Sequence, residues 1–351
     1  MKAKQILTTI GLLLVIAAVG QPQATNHALP RNHAKTVTSA VTACMDAMES
    51  AKLEVHSMMV VKGGSVVAEE WRNGARPDVA HELWSVSKTV TMAAVGFAVK
   101  EKRLKLTDRV VSFFPDKLPQ NVSQNLSDMT VRDLLTMSCG HDTDPSMRIR
   151  EKEDDWVKQF LAEPVSHRPG TYFCYNSVGT YMLSAIVQQL TGQRIVDYLY
   201  PRLFQPLGIA LPQWQESPQG INTGGWGLFL KTEDMAKIGL LLLQQGKWNG
   251  KTLLKKKWVS MASSALVESR PAGSRPEQIK EWGMTKENSD WLQGYGFQLW
   301  QCRHNAYRAD GAYGQYIIVL PERQAVIAVT AKLGNMQAEL NLIWEHLLPV
   351  L

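Results

Sequence analysis

The segment Leu83-Trp84-Ser85-Val86-Ser87-Lys88 decides the fold of this chain and introduces its chemistry. Ser85 and Lys88 are three positions apart, and residues with that spacing lie on one face of a helix. As a free amine, Lys88 can therefore accept the proton of the Ser85 hydroxyl and make that oxygen a nucleophile. Backbone N–H groups in the first turn of a helix lack intrahelical acceptors, so they can also stabilise an oxyanion that forms beside Ser85.

The apolar residues that follow this segment indicate a helix. They recur at spacings of four, three, one, three and one positions, which is the buried stripe of a helix: Val86, Val90, Ala93, Ala94, Phe97 and Ala98. A Ser-x-x-Lys pattern also occurs by chance, and Lys88 is then a solvated surface lysine. Because the helix runs in the direction that the chemistry needs, we favour Ser85 as the nucleophile and Lys88 as its base.

The first 20 residues have the pattern of a secretory signal. Lys2 and Lys4 precede an apolar run from Ile6 to Val19, and small residues end the run at Gly20. We expect cleavage after Gly20 and an exported protein, either periplasmic or secreted. The alternative is an uncleaved anchor that associates with a membrane, although the run is short for a transmembrane helix.

Composition indicates a globular enzyme and argues against a nucleic-acid partner. The chain has 351 residues, of which 45% are hydrophobic and 20% are charged, so it can bury a sizeable core. Removal of residues 1–20 lowers the formal net charge from +6 to +4, because that segment contains two lysines and no acidic residue. The basic run at 255–257 is interpreted as a solvated face. We expect a small-molecule substrate, and the oligomeric state stays open.

Neither the cysteines nor the turn at His141 predicts a metal site. The chain has four cysteines, whose spacing does not fit zinc and whose three alternative disulfide pairings the sequence does not distinguish: Cys44, Cys139, Cys174 and Cys302. We interpret Cys174 as a buried filler rather than half of a bridge. His141 and Asp142 follow Gly140, and a surface turn is favoured over metal ligation there. We therefore expect neither a metal nor a cofactor.

The order of predicted elements indicates an α/β fold built from both ends of the chain. Residues 56–62 and 65–71 read as a hairpin turning at Gly63-Gly64, and 294–302, 306–308, 315–320 and 325–331 read as an antiparallel meander. Helical patterns cover 37–51, the segment from Ser85, 130–138, 178–190, 195–203, 234–245, 255–263 and 335–347. Strands at both ends with helices between them predict one antiparallel sheet with a largely helical insertion.

Tyr175 is the second group to which we assign chemistry. It lies in a loop before a predicted helix, where its phenol can face a cleft and a nearby cation would favour phenolate; a buried structural tyrosine is the alternative. With this residue the chain resembles the serine β-lactamase and penicillin-binding protein superfamily, in its class C-like branch of esterases, D-aminopeptidases and carboxypeptidases. The matching segments occur in order over about residues 55–330 and are 58–63, 83–88, 130–137, 169–177, 206–208, 224–227, 232–234 and 246–250.

The resemblance implies a β-lactamase-like fold and a reaction through an acyl group on Ser85. Residues 1–20 would be the signal and 21–351 one hydrolase domain, with a sheet part at 37–110 and 290–351 and a helical part at 111–289. Lys88 and Tyr175 would share the proton transfers, the Ser85 amide would be one oxyanion donor, and water would release the acyl group.

Two positions depart from the pattern of that superfamily. The strand that should carry Lys-Thr-Gly or His-Gly-Gly instead carries Asp310, Gly311 and Ala312, so the cation and hydroxyl that hold a substrate carboxylate are missing and Asp310 would repel one. Ser177 stands where the motif has an asparagine, and it is either a contact in the site or a helix N-cap.

We therefore predict an exported serine hydrolase acting on small esters or D-amino-acid-type amides. Cell-wall peptide DD-carboxypeptidase activity or weak β-lactamase activity is the alternative within this class of reaction. A non-catalytic binding or scaffold protein with the same fold is the alternative from another class. Retention of Ser85, Lys88 and Tyr175 argues against the scaffold.

Overall fold

A six-stranded antiparallel sheet joins the two ends of the chain. The computed structural model describes residues 28–151 and 154–351, so the predicted signal at 1–20 lies outside the described residues. The strands are β1 (Val55–Lys62), β2 (Ser65–Trp71), β3 (His81–Glu82), β4 (Phe229–Leu230), β5 (Lys247–Trp248), β6 (Lys251–Thr252), β7 (Trp300–Gln301), β8 (Tyr307–Gly311), β9 (Gln315–Leu320) and β10 (Ala325–Ala331). The main sheet has the order β2-β1-β10-β9-β8-β7, while β3 pairs with β4 and β5 with β6.

The helices cover both faces of the sheet, and most of them come from the part of the chain between β2 and β7. They are α1 (Lys35–Ser50), α2 (Ser87–Lys100), α3 (Gln124–Asp128), α4 (Val131–Leu135), α5 (Ser146–Arg150), α6 (Trp156–Ala162), α7 (Ser177–Thr191), α8 (Ile195–Leu199), α9 (Thr232–Leu243), α10 (Lys256–Ala262), α11 (Pro276–Glu281) and α12 (Met336–Leu347). No helix in the described ranges is both long enough and apolar enough to cross a membrane.

Pairing of β1 with β10 brings the N-terminal hairpin to the C-terminal meander. Val60 lies opposite Ile327 and Met59 opposite Ala328 in this antiparallel pair. Successive residues of a strand point to opposite faces, and both faces of these two strands are apolar. A strand in the middle of a sheet buries both faces, so these uninterrupted apolar runs are suited to the central positions that they occupy.

Each face of the sheet has its own hydrophobic core. On one face α1 and α12 pack over Val60, Ile318 and Ile327, and on the other α9 packs over Met59 and Ala328 together with the helices around α2. α9 lies within residues 111–289, which the sequence assigned to the helical part, yet it contacts β10, β9 and β1. The sheet layer therefore includes this helix from the middle of the chain.

Helix α2 occupies the centre of the molecule. Every residue of α2 from Ser87 to Ala98 is buried, and the helix packs against α7 and α8. A helix that is buried on all sides needs other elements around it, and the sheet and the helical region supply them together. Ser85, which precedes α2, consequently lies where these two parts of the fold meet.

Most elements agree with the sequence, and the α/β class with an antiparallel sheet is confirmed. The strands β9 and β10 have the predicted bounds, and the hairpin turns at Gly63-Gly64. The prediction of a strand over 294–302 is wrong, because only Trp300–Gln301 is extended in the sheet. Gln298 has a φ of 55°, and its backbone N–H donates to the carbonyl of Leu135, so the chain at Gln298 meets the end of α4 instead of a neighbouring strand.

Candidate active site

Ser85 lies in a short 3-10 turn that leads directly into α2. The turn spans Trp84–Val86, and α2 begins at Ser87. The Ser87 hydroxyl donates to the carbonyl of Trp84 at 2.6 Å and accepts from the N–H of Leu228 at 3.2 Å. Leu83 also donates to the carbonyl of Leu228 at 2.8 Å. Residues on both sides of Ser85 are thus held to a distant loop, and Ser85 lies in the 3-10 turn just before α2, which begins two residues later than the sequence predicted.

Lys88 lies beside Ser85 in a buried position. Its Nζ atom is 2.9 Å from Oγ of Ser85, 3.0 Å from Oγ of Ser177 and 2.7 Å from the carbonyl oxygen of Gly225. The side chain is 1% exposed, and burial lowers the pKa of Lys88 from 10.5 to about 7. The same three contacts suit a neutral amine, which has two hydrogens for Gly225 and Ser177 and one lone pair for the Ser85 hydroxyl. The site therefore holds a base at neutral pH.

Gly225 makes this approach to Lys88 geometrically feasible. A Cβ atom at this position would lie 2.6 Å from the carbonyl oxygen of Ser177 and 3.5 Å from Nζ of Lys88. Contacts below 3.0 Å are not tolerated without movement of the backbone, so glycine is required for the 223–227 loop to reach α7. This loop gives the amine its carbonyl acceptor.

Tyr175 completes the group of side chains around Ser85. It hydrogen-bonds Ser85, and its ring lies 4.9 Å from Nζ of Lys88. Trp300 stacks on the ring at 5.4 Å, and Tyr295 meets it edge-on at 6.2 Å. Burial raises the pKa of Tyr175, and the charge of Asp310 raises it further. The expectation that a cation would favour phenolate is therefore wrong; Tyr175 is a neutral phenol that can donate or relay a proton.

Ser177 contacts Lys88 and is not the N-cap of α7. The N-cap is Asn176, whose side-chain oxygen accepts from the N–H of Gly179 at 2.8 Å. The N–H of Ser177 donates to Asp144, which also accepts from the N–H of Ser146 at 3.0 Å. Of the two interpretations of Ser177, contact with the site is the one that the structure bears out.

Asp144 is a residue of the site that sequence reasoning missed. Its charge raises the pKa of Lys88, whereas the charge of Arg150 lowers it. Arg150 lies over the ring of Trp226, which follows Gly225 in sequence, at 4.3 Å. The signal in the sequence was the acidic residue three positions after His141, but that segment was interpreted as a surface turn.

The interpretation of His141 as a surface residue is also wrong. His141 is 2% exposed, and its Nδ1 atom lies 3.0 Å from Nδ2 of Asn176. Burial lowers the pKa of His141 to about 4, so the ring is neutral and packs edge-on against Phe160 at 5.0 Å. It supports the N-cap of α7 from behind. Within 28–151 and 154–351, no three His, Cys, Asp or Glu side chains are grouped to hold a metal.

The strand β8 brings Asp310, Gly311 and Ala312 next to the nucleophile segment. A Cβ atom on Gly311 would lie 2.3 Å from the carbonyl oxygen of Leu83, so the two backbones touch and only glycine fits. Asp310 accepts from Nε of Arg308 at 2.9 Å, and Arg308 is fully buried. Arg308 neutralises much of the Asp310 charge, but it is not exposed to a substrate. Ala312 begins the turn between β8 and β9 beside the segment of Ser85.

The four cysteines are free thiols in the structure. Cys44, Cys139 and Cys302 are buried, and Cys174 is half-buried. Burial raises the pKa of Cys174 to about 12, which keeps the thiol protonated and unreactive. This agrees with the interpretation of Cys174 as a filler beside Tyr175.

Comparison with protein families and known proteins agrees with this geometry. The family model described as Beta-lactamase matches residues 40–347. The 6-aminohexanoate-dimer hydrolase of Paenarthrobacter ureafaciens is 26% identical over 293 residues, which are 77% of this chain and 71% of that protein. The D-aminopeptidase of Brucella anthropi is 26% identical over 166 residues, which are 44% of this chain and 31% of that protein.

The fold of this chain is also similar to that of a solved hydrolase structure. EstCE1, described as a hydrolase with promiscuous acyltransferase activity, superposes on this chain with a TM-score of 0.71 and is 15% identical in sequence. The superposition covers 89% of this chain and 98% of EstCE1. The sheet and the helical region of the two proteins therefore have the same architecture.

Proposed function

Because the chain belongs to the β-lactamase family of serine hydrolases, we propose that it hydrolyses small esters or D-amino-acid-type amides through an acyl-enzyme on Ser85. The observation that carries this proposal is the contact of 2.9 Å between Nζ of Lys88 and Oγ of Ser85, with a lysine pKa of about 7. A lysine with that pKa is substantially unprotonated at neutral pH and is matched to general-base catalysis.

In the proposed acylation step, Lys88 removes the proton of Ser85 while Oγ bonds to the carbonyl carbon of the substrate. The carbonyl oxygen becomes an oxyanion, which accepts from the backbone N–H groups of Ser85 and Ala312. As the bond to the leaving group breaks, the proton taken by Lys88 reaches the leaving oxygen or nitrogen, with the Tyr175 phenol as the relay. The products are an alcohol or amine and an ester on Ser85.

Deacylation repeats the same proton transfers with water. Lys88 and Tyr175 accept a proton from water as its oxygen adds to the ester carbonyl, and that proton returns to Ser85 when the bond to Oγ breaks. Ser177 and the Gly225 carbonyl hold the amine in place throughout, since they are 3.0 and 2.7 Å from Nζ. The enzyme is thereby regenerated with a neutral lysine.

Esters and amides without an essential carboxylate are favoured by the charges around β8. Arg308 is fully buried and donates to Asp310, so this strand offers no guanidinium to a β-lactam or peptide carboxylate. The names of two relatives, a 6-aminohexanoate-dimer hydrolase and a D-aminopeptidase, support cleavage of an amide or a D-amino substrate, and the first name denotes a substrate that itself carries a carboxylate. We rank DD-carboxypeptidase and β-lactamase activity below hydrolysis of such esters and amides, because β8 offers no exposed cation to a substrate carboxylate.

Covalent labelling of Ser85 tests the hydrolase proposal. A fluorophosphonate should add one adduct to the wild type, detected by intact mass, and none to Ser85→Ala. Ser260→Ala, at an exposed serine of α10, is the matched control and should label like the wild type. A folded wild type that stays unlabelled would favour the scaffold alternative.

Substrate ranking requires a second measurement. Turnover of p-nitrophenyl acetate should exceed turnover of nitrocefin by the wild type, because no exposed cation of β8 holds the β-lactam carboxylate. Nitrocefin hydrolysis at the faster rate of the two would reverse the ranking of ester over lactam.

The proposed location is outside the cytoplasm, and the support is the N-terminal sequence alone. Lys2 and Lys4, the apolar run and the small residues before Gly20 have the order of a secretory signal. N-terminal sequencing of the protein recovered from a periplasmic fraction should begin near Gln21. Recovery of the intact N-terminus with the membranes would indicate an anchor instead.

A further inference from the structure

Two aromatic residues beside Ser85 have a backbone conformation that costs free energy. Trp84 has a φ of 48° and Tyr313 a φ of 67°. Large side chains rarely adopt this left-handed conformation, which glycine and asparagine adopt at little cost in free energy. Nine of the other ten non-glycine residues with positive φ among the described residues are polar, and the tenth, Met137, is buried. Strain of this kind is often associated with function.

The rings of Trp84 and Tyr313 contact each other. Their centroids are 5.1 Å apart with an interplanar angle of 70°, which is a favourable edge-to-face arrangement. Tyr313 is 48% exposed, and neither ring belongs to a hydrophobic core. Core packing therefore does not explain why these residues are aromatic, and half of a large apolar ring faces solvent.

The position of the pair relates it to the reacting atoms. Trp84 directly precedes Ser85, while Tyr313 directly follows Ala312 in the turn between β8 and β9. The close approach of Gly311 to the carbonyl oxygen of Leu83 holds that turn against the nucleophile segment. Both segments therefore border the space beside Ser85 in which an acyl group on Oγ would lie.

The two charged residues of β8 next to this aromatic pair form an ion pair with each other. Arg308 and Asp310 pair with each other, and Arg308 is fully buried. The chemistry that Trp84 and Tyr313 offer to a ligand is consequently apolar: ring faces and edges that cover an alkyl or aryl chain.

We propose that Trp84 and Tyr313 form an aromatic platform that binds the apolar acyl chain of the substrate while its carbonyl carbon reacts at Ser85. The platform deepens the proposed acyl-enzyme function and rests on it. Substrates with a longer acyl chain gain contact area on the rings, by about a twofold increase in kcat/KM per methylene when one side of the chain is covered.

A chain-length series tests the platform. The probes are p-nitrophenyl acetate, butyrate and hexanoate, and kcat/KM should rise along the series for the wild type. Tyr313→Gly removes the ring and relieves the strained backbone, so it should fold at least as stably and lose most of the rise. Tyr313→Phe keeps the ring and should retain the rise. Val122→Ala, which shortens an exposed apolar side chain in the loop before α3, is the control and should match the wild type.

The outcomes separate this proposal from the proposed function. If the wild type is labelled by fluorophosphonate at Ser85 but Tyr313→Gly keeps the full rise, or the wild type shows none, the platform is wrong and the hydrolase proposal stands. If Ser85 of the folded wild type is not labelled, both proposals fail. Labelling together with a rise that depends on the ring supports both.

Discussion

Lys88 shows how burial converts an ordinary side chain into a base. Desolvation disfavours the ammonium form, which lowers its pKa from 10.5 to about 7. Asp144 and Asp310 oppose that shift, while Arg150 adds to it. The pKa of Lys88 therefore depends mainly on burial and to a smaller extent on three surrounding charges. Substitutions of individual charged residues can test these contributions separately.

The pH dependence of hydrolysis should report the titration of Lys88. Since the amine acts as a base only when it is unprotonated, kcat/KM for p-nitrophenyl acetate should rise with pH through an apparent pKa near 7 and level off above it. Steady-state rates between pH 5.5 and 9 measure this. A flat profile across that range would contradict a base with this pKa.

Charge substitutions near Lys88 should move that midpoint in opposite directions. Asp144→Asn removes a negative charge and should lower the midpoint, whereas Arg150→Gln removes a positive charge and should raise it. Each shift should be less than about one unit, because partly exposed charges are screened. The pH profiles of both variants check this, and shifts of the same sign would contradict the electrostatic account. Asp142→Asn, on the same loop, is the matched control.

At the scale of elements, helix ends place the residues of the site. Helix α4 begins with a capping box in which the side chain of Thr130 accepts from the N–H of Asp133. The carboxylate of Asp133 in turn accepts from the N–H of Thr130 at 2.8 Å. Asp133 therefore serves the start of this helix. The chain beyond α4 supplies Met137, whose sulfur accepts from the N–H of Asn176 at 3.2 Å.

Thr130→Ala should destabilise the protein by about 1 kcal/mol, the usual loss for an N-cap of this type. Urea denaturation followed by tryptophan fluorescence measures the change. Thr130→Ser keeps the hydroxyl and should change the free energy of unfolding by no more than about 0.3 kcal/mol. Equal loss in both variants would show that the methyl group, not the cap, stabilises this site.

On the scale of the whole molecule, α12 near the C-terminus packs against α1 near the start of the described residues. α12 packs on α1 over one face of the sheet, with Leu340, Ile343, Trp344 and Leu347 in the core. Nε1 of Trp344 donates to Asp290 at 3.1 Å, and Asp290 also forms an ion pair with Arg303 at 2.8 Å. The C-terminal helix thus secures the segment that leads into β7 and β8.

Trp344→Ala should cost about 3–5 kcal/mol, because it leaves a cavity in this core and removes the donor to Asp290. Trp282→Ala, at a tryptophan that is 53% exposed, is the control and should change stability by less than about 0.5 kcal/mol. Chemical denaturation of the three proteins measures both changes. A cost at Trp344 no larger than that at Trp282 would exclude this role of α12.

The amino-acid sequence determined the elements whose order is local. Periodicity of two predicted β9 and β10 with their observed bounds, and periodicity of 3.6 predicted α7 and α12 to within one residue. Spacing alone also placed Lys88 beside Ser85, because three positions along one helix are a fixed distance. These features depend on residues that are close together in the chain, so they can be predicted from the sequence alone.

Tertiary structure decided what distant segments contribute. Asp144 and Gly225 reach Lys88 from loops that are 56 and 137 positions away in the chain, and His141 is buried behind α7. Within 294–302 only Trp300–Gln301 joins the sheet, and the backbone N–H of Gln298 donates to the end of α4 instead. The pKa of Lys88 likewise depends on how completely other elements exclude water from it. Contacts and desolvation of this kind arise only when the chain is packed, so no local pattern records them.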